Sequence, residues 1–329
     1  MKFITILSIL FISFLQGSTI VKIATYNVEN LFDLKKTGYE YKEYIPYSKS
    51  RWNQKNYKIK LNNIAKVIKD INADIIALQE IESLQALKDL RYTLKQKGLY
   101  YKYFKIANAK STTVKVSILS KYPFSSRELR VSTSYRYRNI LEAKFNINNT
   151  KLYMFINHWK SKSGPESMRI KSAKKLIQRI NNIGYDKNII ILGDFNSDYE
   201  EYKKFLRKRK LNDTNGITGI NHILRTIDNT KDASSLKLAQ DQFYNLWYDT
   251  KEKERYSYIF RGKKEALDNI IISKSLIKHY KKHSIHSYKK PYLFKKKYIY
   301  RWQTLRRKPH THKGKGYSDH LPVMASFKF

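Results

Sequence analysis

Five apolar runs of the sequence stop at polar residues of the types that bind cations or transfer protons. These residues are Asn27, Gln79 with Glu80, Asn157 with His158, Asp194 with Asn196, and Asp319 with His320. Carboxylates and amides supply the oxygen ligands that hard divalent cations prefer, and histidine can gain or lose a proton near neutral pH. Singly, such an aspartate is most often a helix or turn cap, and such a histidine a surface or packing residue. Five of these sites in order along one chain favour a shared reaction centre.

The segments that carry these residues predict alternating strands and helices. Strands are predicted over residues 20–26, 114–119, 140–147, 152–157 and 322–327, and the short apolar runs at 74–78 and 188–192 are typical of strands buried on both faces. Helical spacing of apolar residues covers 57–71, 83–97 and 168–180. A hairpin is predicted between residues 256–260 and 267–272, around a turn at 261–264. Because no repeat, linker or change in composition divides the chain, residues 18–329 are expected to form one α/β domain.

The charge and cysteine content of the chain exclude some kinds of site and indicate the charge of its partner. The 329 residues include 66 Lys+Arg and 27 Asp+Glu, which gives a formal charge of +39, and 41% are hydrophobic, enough for a large core. The absence of cysteine excludes disulfides, thiolate metal sites and cysteine nucleophiles. Such an excess of basic residues indicates a polyanionic partner.

The amino terminus predicts export. Met1 and Lys2 precede an apolar run over residues 3–15, and Gly17-Ser18 follows as a small-residue exit, so residues 1–17 read as a secretory signal peptide. Thirteen helical residues rise only about 20 Å, less than the ~30 Å hydrocarbon core, although an uncleaved anchor stays open as an alternative. The expected location is the periplasm or the medium, with no stable membrane anchor after cleavage.

A basic segment rich in aromatic residues lies at about 278–316. No Asp or Glu occurs from Asn269 to Ser318, while this stretch holds 15 Lys/Arg and 8 aromatic residues. Lysines can neutralise phosphates and aromatic rings can stack on unpaired bases, so the segment is interpreted as an insertion that binds substrate. The alternatives are a solvated, partly disordered insertion and a surface for anionic membranes.

Several motifs resemble the endonuclease/exonuclease/phosphatase superfamily, in its secreted deoxyribonuclease-like branch. They are residues 25–30 (TYNVEN), 76–80 (IALQE), 193–196 (GDFN), 267–269 (LDN) and 318–323 (SDHLPV). The segment 256–262 (YSYIFRG) is similar to extracellular bacterial nucleases. The resemblance spans residues 20–327 and implies a four-layer α/β sandwich, two mixed β-sheets flanked by helices, with divalent-metal hydrolysis of phosphoesters.

The resemblance also implies roles for individual residues. Glu80, with Asn27 and Asp319, would bind Mg²⁺ or Mn²⁺, and Ca²⁺ is left open as a supporting ion. Asp194 would orient or deprotonate the attacking water. Asn196 would hold that water or a phosphate oxygen. Asp268 would pair with His320, so that this histidine faces the phosphate as a cation.

Four further residues match the deoxyribonuclease branch. His158 would be the general acid at the leaving oxygen, and Arg138, Lys160 and Lys162 would contact substrate phosphate; for the two lysines an ordinary solvated loop is equally compatible. That branch supports its histidine with a glutamate, and the acid-free stretch from Tyr100 to Lys115 offers none.

The leading hypothesis is a secreted, monomeric, metal-dependent nuclease that acts mainly on DNA with little sequence preference and leaves 5′-phosphate ends. A sphingomyelinase or phosphoinositide phosphatase of the same superfamily is the first alternative, and a non-catalytic polyanion-binding protein is the second. DNA or RNA preference, internal or terminal cutting, and one or two metals stay open.

Overall fold

The central strands of this protein are buried on both faces, as the apolar runs at 74–78 and 188–192 predict. Val21 and Ile23 point into one hydrophobic cluster, while Ala24 and Tyr26, on the opposite face of the same strand, point into another. Side chains alternate across a strand, so a strand with apolar residues at every position must lie between two cores. Because these strands have a core on each face, sheets and helices stack in layers.

The computed structural model describes residues 17–107, 112–226, 238–305 and 310–329. All but the last residue of the predicted signal peptide lie outside these ranges, as do residues 306–309 of the basic segment. No helix in the described ranges combines the length and the apolar character needed to cross a membrane.

The described residues form sixteen strands and four α-helices. The strands are β1 (Ile20–Leu31), β2 (Ile75–Ile81), β3 (Tyr103–Ile106), β4 (Lys115–Ser120), β5 (Phe124–Leu129), β6 (Ile140–Ile147), β7 (Thr150–His158), β8 (Asn188–Asp194), β9 (Phe243–Asn245), β10 (Tyr258–Phe260), β11 (Lys263–Glu265), β12 (Asp268–Ser273), β13 (His286–Ser287), β14 (Phe294–Lys295), β15 (Tyr298–Ile299) and β16 (Val323–Lys328). The helices are α1 (Gln54–Ile71), α2 (Leu84–Gln96), α3 (Glu166–Ile183) and α4 (Glu201–Lys204), joined by short 3₁₀ and π turns.

Two mixed sheets of six strands each form the centre. Their orders are β13-β16-β1-β2-β4-β3 and β5-β6-β7-β8-β12-β9. Within each sheet one pair is parallel, β1 with β2 and β7 with β8, and the other pairs are antiparallel. One cluster fills the space between the sheets, a second packs α1 and α2 on the first sheet, and a third packs α3 on the second. The predicted four-layer α/β sandwich is therefore confirmed.

The predicted hairpin at 256–272 is wrong in its return strand. The turn lies at Arg261 and Gly262 as expected, but β10 pairs with β11 in a separate two-stranded ribbon. Residues 268–273 instead form β12, which pairs with β8 and β9 inside the second sheet. The apolar run of β12 is buried by the sheet, whereas the ribbon is too polar to enter it.

Aromatic residues anchor the basic segment to the body of the protein. Trp302 is 3% exposed in the core on the helix side of the first sheet, and Tyr280 is 6% exposed in the core between the sheets. The Tyr292 hydroxyl donates to Asp70 at 2.7 Å. For Trp302 and Tyr280 the interpretation as base-stacking groups is wrong, because protein covers their rings. Lysines of the segment remain exposed, at positions 278, 281, 282, 290, 295, 296, 297, 313 and 315.

Candidate active site

The two sheets bring the polar strand ends together at one edge of the sandwich. In the first sheet Asn27 is in register with Gln79, next to Glu80. In the second, Asp194 is in register with His158 on β7 and with Asp268 on β12. The parallel pairs place their carboxyl ends at this edge, and antiparallel β12 contributes its first residue. Residues far apart in sequence therefore meet at one place.

Asn27 joins the two sheets at this edge. Its amide Nδ2 donates to Glu80 Oε1 at 3.1 Å and to Asp194 Oδ2 at 3.0 Å. Its Oδ1 accepts the backbone N–H of Glu29 at 3.0 Å. The side chain thus presents its NH₂ group to the carboxylates, and the oxygen expected to bind metal is already hydrogen-bonded. In this arrangement Asn27 holds Glu80 and Asp194 together.

The backbone is irregular where these side chains are presented. Glu80 has φ +66°, Glu29 has φ +51° and Asn196 has φ +48°, all in the left-handed region that non-glycine residues seldom adopt. The β1–β2 register shifts between Asn27 and Leu31, as in a bulge. Such conformations cost about 1–3 kcal/mol each and persist where surrounding packing enforces them, which is common at functional sites.

Asp194 is buried in the cluster and accepts several hydrogen bonds. Asn196 donates to it twice, from its backbone N–H to Oδ1 at 2.8 Å and from its Nδ2 to Oδ2 at 3.2 Å. Burial raises the pKa of Asp194 to about 7, and the charge of Asp268 adds to the rise. Among the described residues neither Asp194 nor Glu80 has a Lys or Arg within 4.0 Å. Hydrogen bonds from Asn27 and Asn196, together with the charge of His320, therefore stabilise the Asp194 carboxylate in place of a Lys or Arg.

His320 and Asp268 form a buried pair. His320 Nδ1 lies 2.7 Å from Asp268 Oδ2. Burial opposes a positive charge on His320, but the carboxylate of Asp268 outweighs it and raises the pKa of the histidine well above its usual value. Ligand atoms of Asp194, Asp268 and His320 all lie within 4.8 Å of one another. A protonated His320 is thus held beside Asp194.

The surroundings of His158 shift its pKa in the opposite direction from that of His320. Its Nε2 lies 3.5 Å from Asp194 Oδ2 and 3.7 Å from Glu80 Oε1, while its buried Nδ1 has no hydrogen-bond partner among the described residues. Burial, with the positive charges of Arg138 and His320, lowers the pKa of His158 well below its usual value. Among the described residues no glutamate supports its Nδ1, so its role as general acid stays a prediction.

The three predicted phosphate ligands lie in two different environments. Arg138 lines the cavity. Burial lowers the pKa of Lys160, and the positive charges of Arg138 and Arg136 lower it further. These three residues therefore form one basic group. Lys162 also lines the cavity but bonds Glu201 at 2.9 Å and Glu265 at 2.8 Å. Two carboxylates surround its single charge, so Lys162 is less available to a phosphate than Lys160.

Asp319 is engaged by an arginine from the basic segment. Arg301 Nη2 lies 3.3 Å from Asp319 Oδ2, and the same guanidinium donates through Nε and Nη2 to Glu29. The backbone N–H of Trp302 also donates to Glu29, at 2.9 Å. The segment therefore reaches the reaction centre through Arg301. Glu29 lies within the TYNVEN motif, but its long-range contact to Arg301 leaves no local pattern in the sequence.

Most of the predicted site residues line one cavity of about 610 Å³. Glu80, His158, Asp194, Asn196, Asp319 and His320 all face it, whereas Asn27 and Asp268 lie behind them. Tyr41, Tyr258, Phe260 and Glu265 also line it, and sequence reasoning did not identify them as site residues. The arrangement combines carboxylates, a cationic histidine and a basic rim, a set suited to a phosphate ester.

Comparisons with known proteins identify the family and the fold. The model of the Endonuclease/Exonuclease/phosphatase family matches residues 22–328. An AP endonuclease from Archaeoglobus fulgidus is similar in structure, with TM-score 0.58 and 15% identity over 93% of this chain and 99% of that one. D. rerio TDP2 complexed with single strand DNA product has TM-score 0.55 and 15% identity over 94% of this chain and 99% of that one.

A third solved structure, a family protein from Leptotrichia buccalis C-1013-b, has TM-score 0.55 and 15% identity over 94% of this chain and 100% of that one. At these identities the likeness concerns the fold. No curated protein sequence matches the chain.

Proposed function

This chain belongs to the endonuclease/exonuclease/phosphatase family, and from that premise we propose that it is a divalent-metal-dependent phosphodiesterase that cuts nucleic acid, DNA foremost. The observation that carries the proposal is the meeting of Glu80, Asp194 and His320 around one cavity, with the Asp268 carboxylate behind the histidine. Such a site can activate water on one side of a phosphate and neutralise the charge that develops on the other.

The residues present fit a hard divalent cation. Glu80 and Asp194 offer carboxylate oxygens that no Lys or Arg among the described residues neutralises, and Asp319 lies on the same cavity. Oxygen ligands of this kind suit Mg²⁺ or Mn²⁺, with Ca²⁺ in a supporting role. The cation would neutralise phosphate charge and lower the pKa of a bound water.

The chain's own residues would divide the remaining work. Asp194, positioned by Asn196 and Asn27, accepts the proton of the attacking water, and the His320 cation stabilises the phosphorane oxygens. Attack on phosphorus expels the 3′ oxygen and leaves a 5′-phosphate. His158, on the same cavity, is the proposed donor to that leaving oxygen. Arg138 and Lys160 hold the substrate backbone.

Several features support nucleic acid as the substrate. The net charge of +39 and the exposed lysines of the basic segment attract polyanions. TDP2, whose fold is similar, is described in complex with a single strand DNA product. We propose further that the protein acts as an exported monomer, in the periplasm or the medium, which accords with the signal-like amino terminus.

A substrate panel tests the proposal. The purified protein with Mg²⁺ or Mn²⁺ is given supercoiled DNA, single strands, RNA, sphingomyelin and inositol phosphates, and the ends of cut DNA are labelled. We expect rapid cleavage of DNA to 5′-phosphates. Intact DNA together with cleavage of a lipid headgroup would overturn it in favour of a lipid phosphoesterase.

A pair of variants separates an enzyme from a binding protein. D194A should abolish cleavage while DNA retention on a gel persists, because Arg138, Lys160 and the surface lysines are unchanged. D186A removes an exposed carboxylate outside the cavity and should retain wild-type cleavage. Equal activity of D194A and D186A would contradict the proposal.

A further inference from the structure

The β10–β11 ribbon stands beside His320 and belongs to neither large sheet. Tyr258 forms a bridge with His320, and the backbone N–H of Leu321 donates to Ser257 O at 2.7 Å. At the other end Arg261 and Gly262 have φ +48° and +80°, the two left-handed residues of a tight hairpin turn. The ribbon is thus fixed at its base to the catalytic histidine and projects from it.

One face of the ribbon is aromatic. Tyr258 and Phe260 are two residues apart on one strand, so their side chains lie on the same face. Their rings are nearly parallel, with an interplanar angle of 10° and centroids 6.5 Å apart, and the Tyr258 ring lies 4.8 Å from the His320 ring. Phe260 is 51% exposed and lines the reaction cavity. Two nearly parallel aromatic rings therefore follow one another outward from His320.

The rest of the ribbon tip is basic. The guanidinium of Arg261 lies 5.3 Å from the centre of the Phe260 ring, and Lys263 and Lys264 on the return strand are exposed. Aromatic rings for bases and cations for the phosphate backbone are the two components of sites that bind single-stranded nucleic acid. Here both occur on one short ribbon, next to the proposed site of cleavage.

We propose that Tyr258 and Phe260 form a stacking platform for an unpaired nucleobase adjacent to the scissile phosphate. The platform rests on the proposed nuclease function and adds a preference to it. Bases inside a duplex have both faces covered by neighbouring bases, so only a single strand, a frayed end or a turned-out base can use an aromatic platform. Single strands are therefore the better substrates.

The competing interpretation of an exposed aromatic residue is that it inserts into a membrane. Insertion into a bilayer requires several apolar residues at a tip, because burying a charge in hydrocarbon is costly. This tip has one strongly exposed apolar residue, Phe260, next to Arg261 and the two lysines, while Ile259 packs on the helix-side core. The composition favours a nucleobase over an acyl chain.

Cleavage of matched oligonucleotides tests the platform. Wild type, F260A, F260W and the control Y92A, which removes an exposed tyrosine of α2 that does not line the reaction cavity, are compared on single-stranded and duplex forms of one sequence. We expect F260A to lower kcat/KM on the single strand about 10- to 100-fold, mainly through KM, and F260W to restore it. Y92A should behave as wild type.

Abasic substitution locates the base. Replacing one base at a time by an abasic sugar should slow the wild type at one position near the cut, and F260A should add little to that loss. A similar F260A penalty on abasic and intact strands would overturn the platform. The platform is also wrong if F260A cuts single strands as fast as the wild type. It is wrong as well if F260A differs from the wild type only in losing its binding to vesicles of phosphatidylcholine with phosphatidylserine.

The two proposals fail in different ways. If the wild type cuts neither strand form, the nuclease function is wrong and the platform falls with it. If the wild type cuts both forms at rates that F260A does not change, only the platform is wrong.

Discussion

His320 Nδ1 lies 2.7 Å from Asp268 Oδ2 in a pair whose two members are at most 7% exposed. The pair fixes the ring, so that Nε2 is the free nitrogen, and it keeps the ring charged where it borders the cavity. Hydrogen bonding to a buried carboxylate is a common way to set the tautomer and orientation of a working histidine.

Removal of this carboxylate should slow catalysis more than binding. D268N keeps the shape but loses the charge that stabilises the His320 cation, so we expect kcat to fall about 10²–10³-fold with KM little changed. D249N is the matched control, since Asp249 is also buried but bonds Tyr280 and lies outside the reaction cavity. Steady-state rates of both folded variants check this. A wild-type kcat for D268N would contradict a cationic His320.

Metal binding should appear in the unfolding temperature. Without divalent ions, E80Q should be as stable as the wild type or more so, because it relieves repulsion between Glu80 and Asp194. Saturating Mn²⁺ should stabilise the wild type, by about 2.7 kcal/mol at 100 times Kd, and should not stabilise E80Q. E252Q, which changes an exposed glutamate, is the control. An equal Mn²⁺ shift in E80Q would remove Glu80 from the ligand set.

Much of the fold was predictable because burial on both faces leaves strands rich in apolar residues, a feature that marks β1, β2, β7 and β8 directly. The same runs end at Asn27, Glu80, His158 and Asp194, so the amino-acid pattern alone points to these site residues. Strand register and sheet edge then bring them together.

What could not be predicted depends on contacts between distant residues. Arg301 meets Glu29 across 272 positions, and Lys162 meets Glu265 across 103, with no periodic pattern to mark either pair. The interpretation of Trp302 and Tyr280 in the basic segment as base-stacking groups was wrong for a related reason. The alternation of lysines and aromatic residues in this segment resembles an exposed binding strip, yet rings such as Trp302 are buried on the helix side of the first sheet.

Salt dependence should separate Lys160 from Lys162. K160A should weaken DNA binding and lower the slope of log Kd against log salt by about 1, because one phosphate contact is lost. K162A should change that slope little and instead lower the unfolding temperature, since buried Glu201 loses its cation. Binding titrations at several salt concentrations and thermal unfolding check both. A reduced slope for K162A would restore it as a phosphate ligand.

Gly193 should tolerate no side chain. Its φ is +134°, and a Cβ there would lie 2.0 Å from the backbone oxygen of Asn157 on the neighbouring strand. We expect G193A to lose about 3 kcal/mol or more, because strain and overpacking add at a buried sheet position. G38A also has positive φ, at +88°, but meets nothing within 4 Å and should lose about 1 kcal/mol. Urea unfolding compares them, and equal losses would mean that the strands can separate.

Acid should destabilise the anchor of the basic segment through His312. Trp302 Nε1 donates to His312 Nδ1 at 2.8 Å and His312 Nε2 donates to Glu43 O at 2.8 Å, a pattern only the neutral ring can make. Burial lowers the pKa of His312 below its usual value. In the unfolded chain His312 is protonated as the pH falls through about 6.5, whereas in the folded chain it stays neutral to a lower pH. The contribution of neutral His312 to folding stability is therefore complete above that pH and falls below it.

The loss is at most about 1.4 kcal/mol per pH unit for one group. It is measured as the difference in unfolding free energy between wild type and H312Q at pH 7.5, 6.5 and 5.5. That difference should shrink as the pH falls. A pH-independent difference for H312Q would mean that the ring accepts a second proton without breaking its bond to Trp302.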